Sequence, residues 1–285
     1  MDDASRQLNI KRARQLSETM AAGCCKDEVN CLKAVRSVDF EYCSPQRDPQ
    51  LPDMCIEKGS YFNYSIRSSM SQVLVEDVTK DSLRSQSNTI KVGSGTVVLS
   101  PFIKDNLQPN DNIAEVLHEL GHACSSVRLQ VAAIKGDVNA REILGDMFEA
   151  ADEFEQTQSN IQCNLSSKKL TFYRSILNAT GASVETTECL TELIKNGYKQ
   201  LYEAVACPNA CPGMFAEEAF AEWMEIISMP QELVVPYLLP NICWTGHDSS
   251  HPHVPAVMQC ALKTPVVAQK LVKATKCKNP KKLPF

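Results

Sequence analysis

The chain has 285 residues, of which 44% are hydrophobic and 22% are charged, and its formal net charge is −5. This composition is typical of a globular protein with a core of useful size. The negative charge balance gives no reason to expect nucleic acid as a partner. Because no apolar run approaches the length of a membrane span, we expect no integral membrane segment.

Thirteen cysteines indicate an oxidising compartment, because cytosolic chains seldom carry so many without paired zinc-binding motifs. No C-x-x-C pair occurs among them, so we expect most to form disulfides. The protein is therefore expected to be exported, either periplasmic or secreted, after removal of a signal peptide. The odd number of cysteines leaves at least one thiol free or bonded to another chain. Cys124, predicted to be buried on a helix, is the candidate for that free thiol.

Residues 1–60 are expected to form a cysteine-rich helical N-terminal region, and residues 61–285 a second, larger domain. Five cysteines fall between Cys24 and Cys55, and the three prolines of Ser44–Pro52 indicate a loop.

The segment Asn88–Ser100 has a strand pattern on both sides of Gly93-Ser94-Gly95, which predicts a β-hairpin. Its two β-rich runs are Thr89–Val92 and Thr96–Leu99. Beyond this structural role, an exposed strand edge at Val97–Leu99 would allow an extended peptide to pair by main-chain hydrogen bonds.

The segment Asn112–Ala123 contains the pattern H-E-x-x-H at His118, Glu119 and His122. Residues four apart lie on one face of a helix, about 6 Å apart along its axis. The two imidazoles can therefore bind one Zn²⁺ at about 2.0–2.1 Å each. Glu119 is then placed to take a proton from the water that the metal activates, without binding the metal itself.

The residues around this motif are typical of a helix. Asp111 or Asn112 can cap its N-terminus, and Gly121 weakens it slightly but allows a neighbouring backbone to approach closely. An apolar stripe follows at helical spacing: Ile113, Val116, Leu117 and Leu120. The alternative is an ordinary surface helix with two unrelated histidines.

The chain from about 130 to 206 is expected to be a helical insertion between metal ligands, stapled by disulfides. Apolar residues at helical spacing predict helices over Arg141–Gln158 and Thr186–Ala206. The first has an acidic face, which is typical of a solvated helix surface; a role in binding substrate or partner is the alternative.

A catalytic zinc site usually needs a third protein ligand. Glu218 and Glu222 lie four residues apart, so on a helix they share one face. Glu218 is the candidate third ligand, and Glu222 is the candidate outer carboxylate that orients an imidazole. Glu217 is the second choice as ligand. Taken alone, such an acidic cluster is more often a solvated face, and the H-E-x-x-H pattern upstream favours metal binding.

Three histidines occur together in the segment His247–His253, next to Pro252. The negative oxygen that develops during amide hydrolysis needs a hydrogen-bond donor besides a metal. His251 is the first candidate for that donor and His253 the second. A polar loop with fortuitous histidines is the alternative.

The order of these segments resembles that of CAAX prenyl-protease and HtpX-type gluzincins. The matching segments are the predicted hairpin Asn88–Ser100, His118–His122, Glu218–Glu222 and Ser249–Pro252. Glu222 stands where this family usually has Asp.

The resemblance implies a catalytic zinc ion and a role for each matching residue. It implies that Glu119 is the general base, that Glu222 lies in the outer sphere and that His251 assists the oxyanion. The implied zinc ligands are His118, His122 and Glu218.

Together these patterns predict an α+β, mainly α-helical fold with a gluzincin-like zinc peptidase core. A small β-hairpin or sheet and a disulfide-stapled helical insertion complete it. The expected function is that of a zinc-dependent endopeptidase acting on a protein or peptide substrate. One alternative is a catalytically silent or latent zinc fold that binds or chaperones other proteins. Another is a cytosolic enzyme with Cys124 as nucleophile, which predicts a reduced protein without metal.

Overall fold

The computed structural model describes residues 3–26, 28–42, 61–63, 95–99, 112–144, 165–196, 212–230 and 253–274. Its helices are α1 (Asp3–Cys25), α2 (Val29–Arg36), α3 (Asn112–Ile134), α4 (Ser167–Ala179), α5 (Val184–Asn196), α6 (Pro212–Ser228), α7 (His253–Ala261) and α8 (Pro265–Ala274). Residues 138–144 are also helical. The strands are β1 (Asp39–Tyr42), β2 (Tyr61–Asn63) and β3 (Thr96–Leu99). The prediction of a mainly helical protein with a small sheet and disulfides is confirmed.

None of the helices in the described ranges has the length and apolar character needed to cross a membrane.

Helices α3 and α6 form the central pair of the fold. Helix α6 is buried on nearly all sides because its residues are mostly apolar, with Phe215, Phe220 and Trp223 fully enclosed. At the point where the two helices meet, a Cβ atom on Gly121 would lie 2.7 Å from Cα of Ala221. The close backbone approach predicted for Gly121 is therefore present.

Helix α1 packs against both α3 and α6. A disulfide between Cys24 and Cys124 joins α1 to α3, and a second between Cys25 and Cys31 joins α1 to α2. The prediction that Cys124 is the free thiol is wrong, because the packing of α1 on α3 brings Cys24 alongside it. Arg128 strengthens the same contact, since its Nη1 donates to the carbonyl oxygen of Cys24 at 2.7 Å.

The sheet has the order β1-β3-β2, with β3 in the centre. Strand β1 pairs with β3 in parallel and β2 pairs with it antiparallel, so both Phe40 and Phe62 lie opposite Val97. Strand β3 is the second run of the predicted hairpin, whereas the first run, Thr89–Val92, lies outside the described residues. Because both edges of β3 are already paired, the expectation that a peptide adds along Val97–Leu99 is wrong.

Helices α5 and α7 support α6 on the side away from α1. The Cys189–Cys260 disulfide joins α5 to α7, and Thr186 Oγ1 donates to the carbonyl oxygen of Cys260 at 2.9 Å. Buried Trp223 of α6 donates from Nε1 to Oγ1 of Thr180 at 2.9 Å. Helix α5 overlaps the predicted helix Thr186–Ala206, of which residues 197–206 lie outside the described ranges.

Helix α8 closes the core at the C-terminal end of α6. Lys270 donates from Nζ to the carbonyl oxygens of Ile226 and Ile227 at 3.3 and 3.2 Å. A cation at this position satisfies carbonyls that have no partner within the helix and complements its dipole.

Candidate metal centre

Three side chains meet where α3 faces α6. His118 and His122 lie one turn apart on α3, and Glu218 lies in the first half of α6. The Nε2 atoms of the two histidines are 3.2 Å apart. Glu218 Oε2 is 2.9 Å from Nε2 of His118, and its Oε1 is 3.6 Å from Nε2 of His122. The sequence predicted all three as metal ligands, and the fold brings them together.

These distances fit a tetrahedral metal site. For an ion bound by nitrogen and oxygen at about 2.0–2.1 Å, the ligand atoms of a tetrahedron lie about 3.3 Å apart. The two Nε2 atoms, 3.2 Å apart, and the pair His118 Nε2 and Glu218 Oε2, 2.9 Å apart, lie close to that value, while Nε2 of His122 is 3.6 Å from the other carboxylate oxygen, Oε1. One ligand atom from each of the three residues lies within 4.8 Å of the others, so the group could hold one metal ion.

The side chains of this group are partly exposed. Solvent reaches 16% of the His118 side chain, 19% of His122 and 24% of Glu218. A metal bound here would have protein on the α3 and α6 sides and an approach from outside, as a catalytic site requires.

A second carboxylate layer stands behind His118. Its Nδ1 atom lies 3.5 Å from Oε1 of Glu222 and 3.6 Å from Oε2 of Glu225. When Nε2 faces a metal, Nδ1 carries the proton, and such carboxylates accept from it and fix the ring orientation. Glu222 was predicted for this role, and Glu225 was not.

Glu225 belongs to a stripe that the sequence already contains. Glu218, Glu222 and Glu225 occupy positions i, i+4 and i+7 of α6, which share one helix face. Glu222 and Glu225 are only 4% and 1% exposed, and Oε1 of Glu225 has no hydrogen-bond partner among the described residues. Extending the i, i+4 pattern by one more turn would have found Glu225.

The pKa values of the three ligand side chains are shifted by their burial and by one another. Burial lowers the pKa of His118, but the hydrogen bonds that its ring donates to Glu218, Glu222 and Glu225 outweigh burial and raise the pKa well above 6.5. Burial also lowers the pKa of His122, and the charge of Glu218 raises it to a net value above 6.5. Burial raises the pKa of Glu218, while the two histidines bring it well below 4.5.

The pKa of Glu225 is shifted in the opposite direction from that of Glu218. Burial, followed by repulsion from the charge of Glu222, raises the pKa of Glu225 to about 8. At neutral pH this carboxyl group therefore keeps its proton in the metal-free protein. A positive ion on the far side of His118 would favour the ionised form.

Glu119 lies close to the group and is 8% exposed. Its charge contributes to raising the pKa of both His122 and Glu225, so its carboxylate is within electrostatic reach of the site. Glu217, the second choice as ligand, points elsewhere and lies 3.6 Å from Nζ of Lys169 on α4.

The predicted oxyanion donors are not placed by the described residues. His251 lies outside them. His253 is the first residue of α7, and its side chain is outside the description. Their role stays a prediction.

Comparison with protein-family models, with curated proteins and with solved structures found no match to this chain.

Proposed function

We propose that the protein is a zinc-dependent endopeptidase with a gluzincin-like site, in which His118, His122 and Glu218 bind one Zn²⁺. The observation that carries the proposal is the convergence of the three side chains, since one ligand atom from each lies within 4.8 Å of the others. Two imidazoles and one carboxylate in a tetrahedron suit zinc better than magnesium or calcium, which prefer more oxygen ligands. The H-E-x-x-H pattern of α3 supports a catalytic role over a purely structural one.

Zinc, when bound, supplies a Lewis acid to the reaction. The protein side chains around the ion have separate roles. Glu119 accepts a proton from the attacking water and returns it to the leaving nitrogen. Glu222 and Glu225 lie opposite Nδ1 of His118 and, as acceptors for its N–H, keep Nε2 directed at the ion.

The proposed substrate is a protein or peptide, and the proposed location is outside the cytosol. Three disulfides among the described residues support an oxidising environment. They also favour this proposal over a reduced cytosolic enzyme, since Cys124 is bonded to Cys24 and holds no free thiol for nucleophilic attack.

Metal analysis of matched variants tests the ligand set. Glu218→Ala removes a ligand atom 2.9 Å from His118, whereas Glu217→Ala removes a neighbouring carboxylate that faces Lys169. We expect one zinc per chain in wild type and in Glu217→Ala, and a loss of affinity of at least about tenfold in Glu218→Ala. Equal zinc affinity in the two variants would exclude Glu218 as a ligand.

Cleavage assays on the zinc-loaded protein separate catalysis from binding. In Glu119→Gln we expect the zinc content to be unchanged and peptide cleavage to fall by about 10²- to 10⁴-fold, because the proton acceptor is lost. A silent zinc fold predicts that wild type and Glu119→Gln bind zinc equally and that neither cleaves an unfolded protein mixture. Cleavage retained by Glu119→Gln would remove this residue from the mechanism.

A further inference from the structure

Four buried cysteines meet where α1, α2 and α3 join. They form two disulfides, Cys24–Cys124 and Cys25–Cys31. The two bonds are in near contact, since Sγ of Cys24 lies 3.9 Å from Sγ of Cys31. The sulfur of Cys31 is therefore near one end of the bond that ties α1 to α3.

A cavity of about 510 Å³ opens beside this cluster. Cys25 and Cys31 are in its wall, whereas Cys24 and Cys124 are not. A small molecule in the cavity therefore meets the Cys25–Cys31 bond and not the other one. Both cysteines are buried, with Cys25 2% and Cys31 0% exposed, and of the two it is Cys31 whose sulfur lies next to Cys24.

The charges around the cavity favour an anion. Lys26 and Arg128 line it and have no carboxylate within ion-pair distance in the described ranges, whereas Lys135 is paired with Glu28, whose charge also reaches Arg128. Arg128 uses Nη1 to bond the carbonyl oxygen of Cys24, which leaves further donors of its guanidinium for a ligand. The carboxylate of Asp137 accepts from the backbone N–H of Ala140 at 2.9 Å and so caps residues 138–144.

The remaining wall combines an apolar part, with Val131, Phe172 and Ile176, and the polar residues Asn139, Thr171 and Ser175. A ligand with a short hydrocarbon body and one carboxylate matches both parts of the cavity. Its volume lies within the range of small-molecule sites in proteins, about 300–1,000 Å³.

We propose that this cavity is a reaction site for a small monothiol that carries a carboxylate, and that Cys25 is the residue to which the thiol attaches. The incoming thiolate forms a bond to Sγ of Cys25 and breaks the Cys25–Cys31 bond, so Cys31 leaves as a thiolate. Cys31 then attacks Sγ of Cys24, 3.9 Å away, and breaks the Cys24–Cys124 bond. Cys124 leaves and takes up the proton that the incoming thiol lost.

The number of disulfide bonds stays the same in this sequence, so no oxidant or reductant is consumed. The products are a mixed disulfide at Cys25, a Cys24–Cys31 bond and a free thiol at Cys124. The covalent tie between α1 and α3 is thereby released two residues after His122. A small thiol that reacts in the cavity thus breaks the disulfide of the helix that carries the metal-ligand histidines.

Disulfide mapping of the full chain tests the proposal. The oxidised protein is incubated with 3-mercaptopropionate, 2-mercaptoethanol or cysteamine at equal thiolate concentration, quenched with iodoacetamide and mapped by mass spectrometry. We expect the mixed disulfide at Cys25, alkylation at Cys124 and a reaction about tenfold faster with the anionic thiol than with the cationic one. Lys26→Gln should reduce that charge preference.

Two kinds of result would overturn the proposal. Alkylation of Cys31 with the Cys24–Cys124 bond intact would overturn the transfer from Cys31 to Cys24. Attachment at a cysteine outside the cavity, or equal rates for the three thiols, would overturn the assignment of the cavity as the binding site.

A matched pair of variants tests the transfer without added thiol. Cys25→Ser leaves a free Cys31 beside Cys24, and we expect iodoacetamide to label Cys124. Cys31→Ser leaves a free Cys25 instead, and we expect the label on Cys25 with the Cys24–Cys124 bond retained. Labelling of Cys31 alone in the Cys25→Ser variant contradicts the proposal, and the wild-type mapping decides if either variant fails to fold.

Discussion

Substituting Gly121 by alanine tests whether the contact between α3 and α6 sets the geometry of the metal centre. Gly121 is the residue before His122, and Ala221 lies between Glu218 and Glu222 on the facing helix. A Cβ atom on residue 121 would lie 2.7 Å from Cα and 2.8 Å from the carbonyl oxygen of Ala221. Both are backbone atoms, so no side chain can rotate away, and the helices must separate.

The size of the effect follows from these distances. Ordinary contact begins at 3.4 Å, so the new Cβ atom is roughly 0.7 Å too close to Cα of Ala221. Metal sites tolerate ligand displacements of about 0.2 Å, so we expect zinc affinity to fall by at least about tenfold. Overpacking costs about 1–3 kcal/mol, and replacing a helical glycine by alanine offsets about 1 kcal/mol of it. The metal-free protein should therefore lose at most about 2 kcal/mol.

The control is Gly23→Ala on α1. A Cβ atom there would lie 3.5 Å from Oγ of Ser228 and 3.8 Å from Ile227, which is ordinary contact. We expect this variant to gain about 0.5–1 kcal/mol from helix propensity alone and to keep its zinc affinity.

Two measurements on each protein complete the test. Zinc affinity is obtained by competition with a coloured chelator, and the free energy of unfolding of the metal-free protein by urea titration. If Gly121→Ala binds zinc like wild type and gains stability as Gly23→Ala does, the helix contact does not set the site and the reasoning is refuted.

Two further predictions concern pH and one buried hydrogen bond. Because the pKa of both ligand histidines is raised in the folded state, they stabilise the metal-free fold fully below pH 6.5, and this stabilisation is lost as pH rises through their folded-state pKa values. The raised pKa of Glu225 has an effect of the same sign between pH 4.5 and about 8. Metal-free protein should therefore unfold more easily in urea at pH 9 than at pH 6, while zinc affinity rises with pH because protons compete for the ligands; greater metal-free stability at pH 9 would contradict this. Thr180→Val leaves the buried Nε1 of Trp223 without its acceptor and should cost about 1–3 kcal/mol in urea unfolding. Thr171→Val, at an exposed hydroxyl that bonds only within its own helix, should stay within about 0.5 kcal/mol of wild type, and equal losses in the two variants would disprove the role of the indole bond.

The two histidine ligands were predictable because their spacing is local, whereas Glu218 lies 100 residues from His118 and was predicted from its spacing to Glu222 together with the upstream motif. His118 and His122 need only one helical turn to converge, and Glu218 needs only a second helix with its acidic face inward. Glu225 was missed for a physical reason. Spacing reveals which residues share a face, whereas the fact that a carboxylate is buried depends on what packs against that face.

The long-range contacts were not predictable from local patterns. Cys24 and Cys124 are 100 residues apart, and their pairing depends on how α1 packs on α3. The parallel pairing of β1 with β3 was not predictable for the same reason, since Phe40 pairs with Val97, which lies far from it in the sequence. The hairpin pattern pointed only to sequence neighbours and so left β3 with a free edge. The division at residue 60 stays a prediction.

The bond from Lys270 to the end of α6 has a practical consequence for trimming the protein. A chain shortened before residue 270 would lose the ammonium group that Ile226 and Ile227 use as their carbonyl partner. A cut before residue 267 would also remove Val267, which is buried in the core. Boundaries chosen for crystallisation should therefore lie beyond Ala274, the last residue of α8.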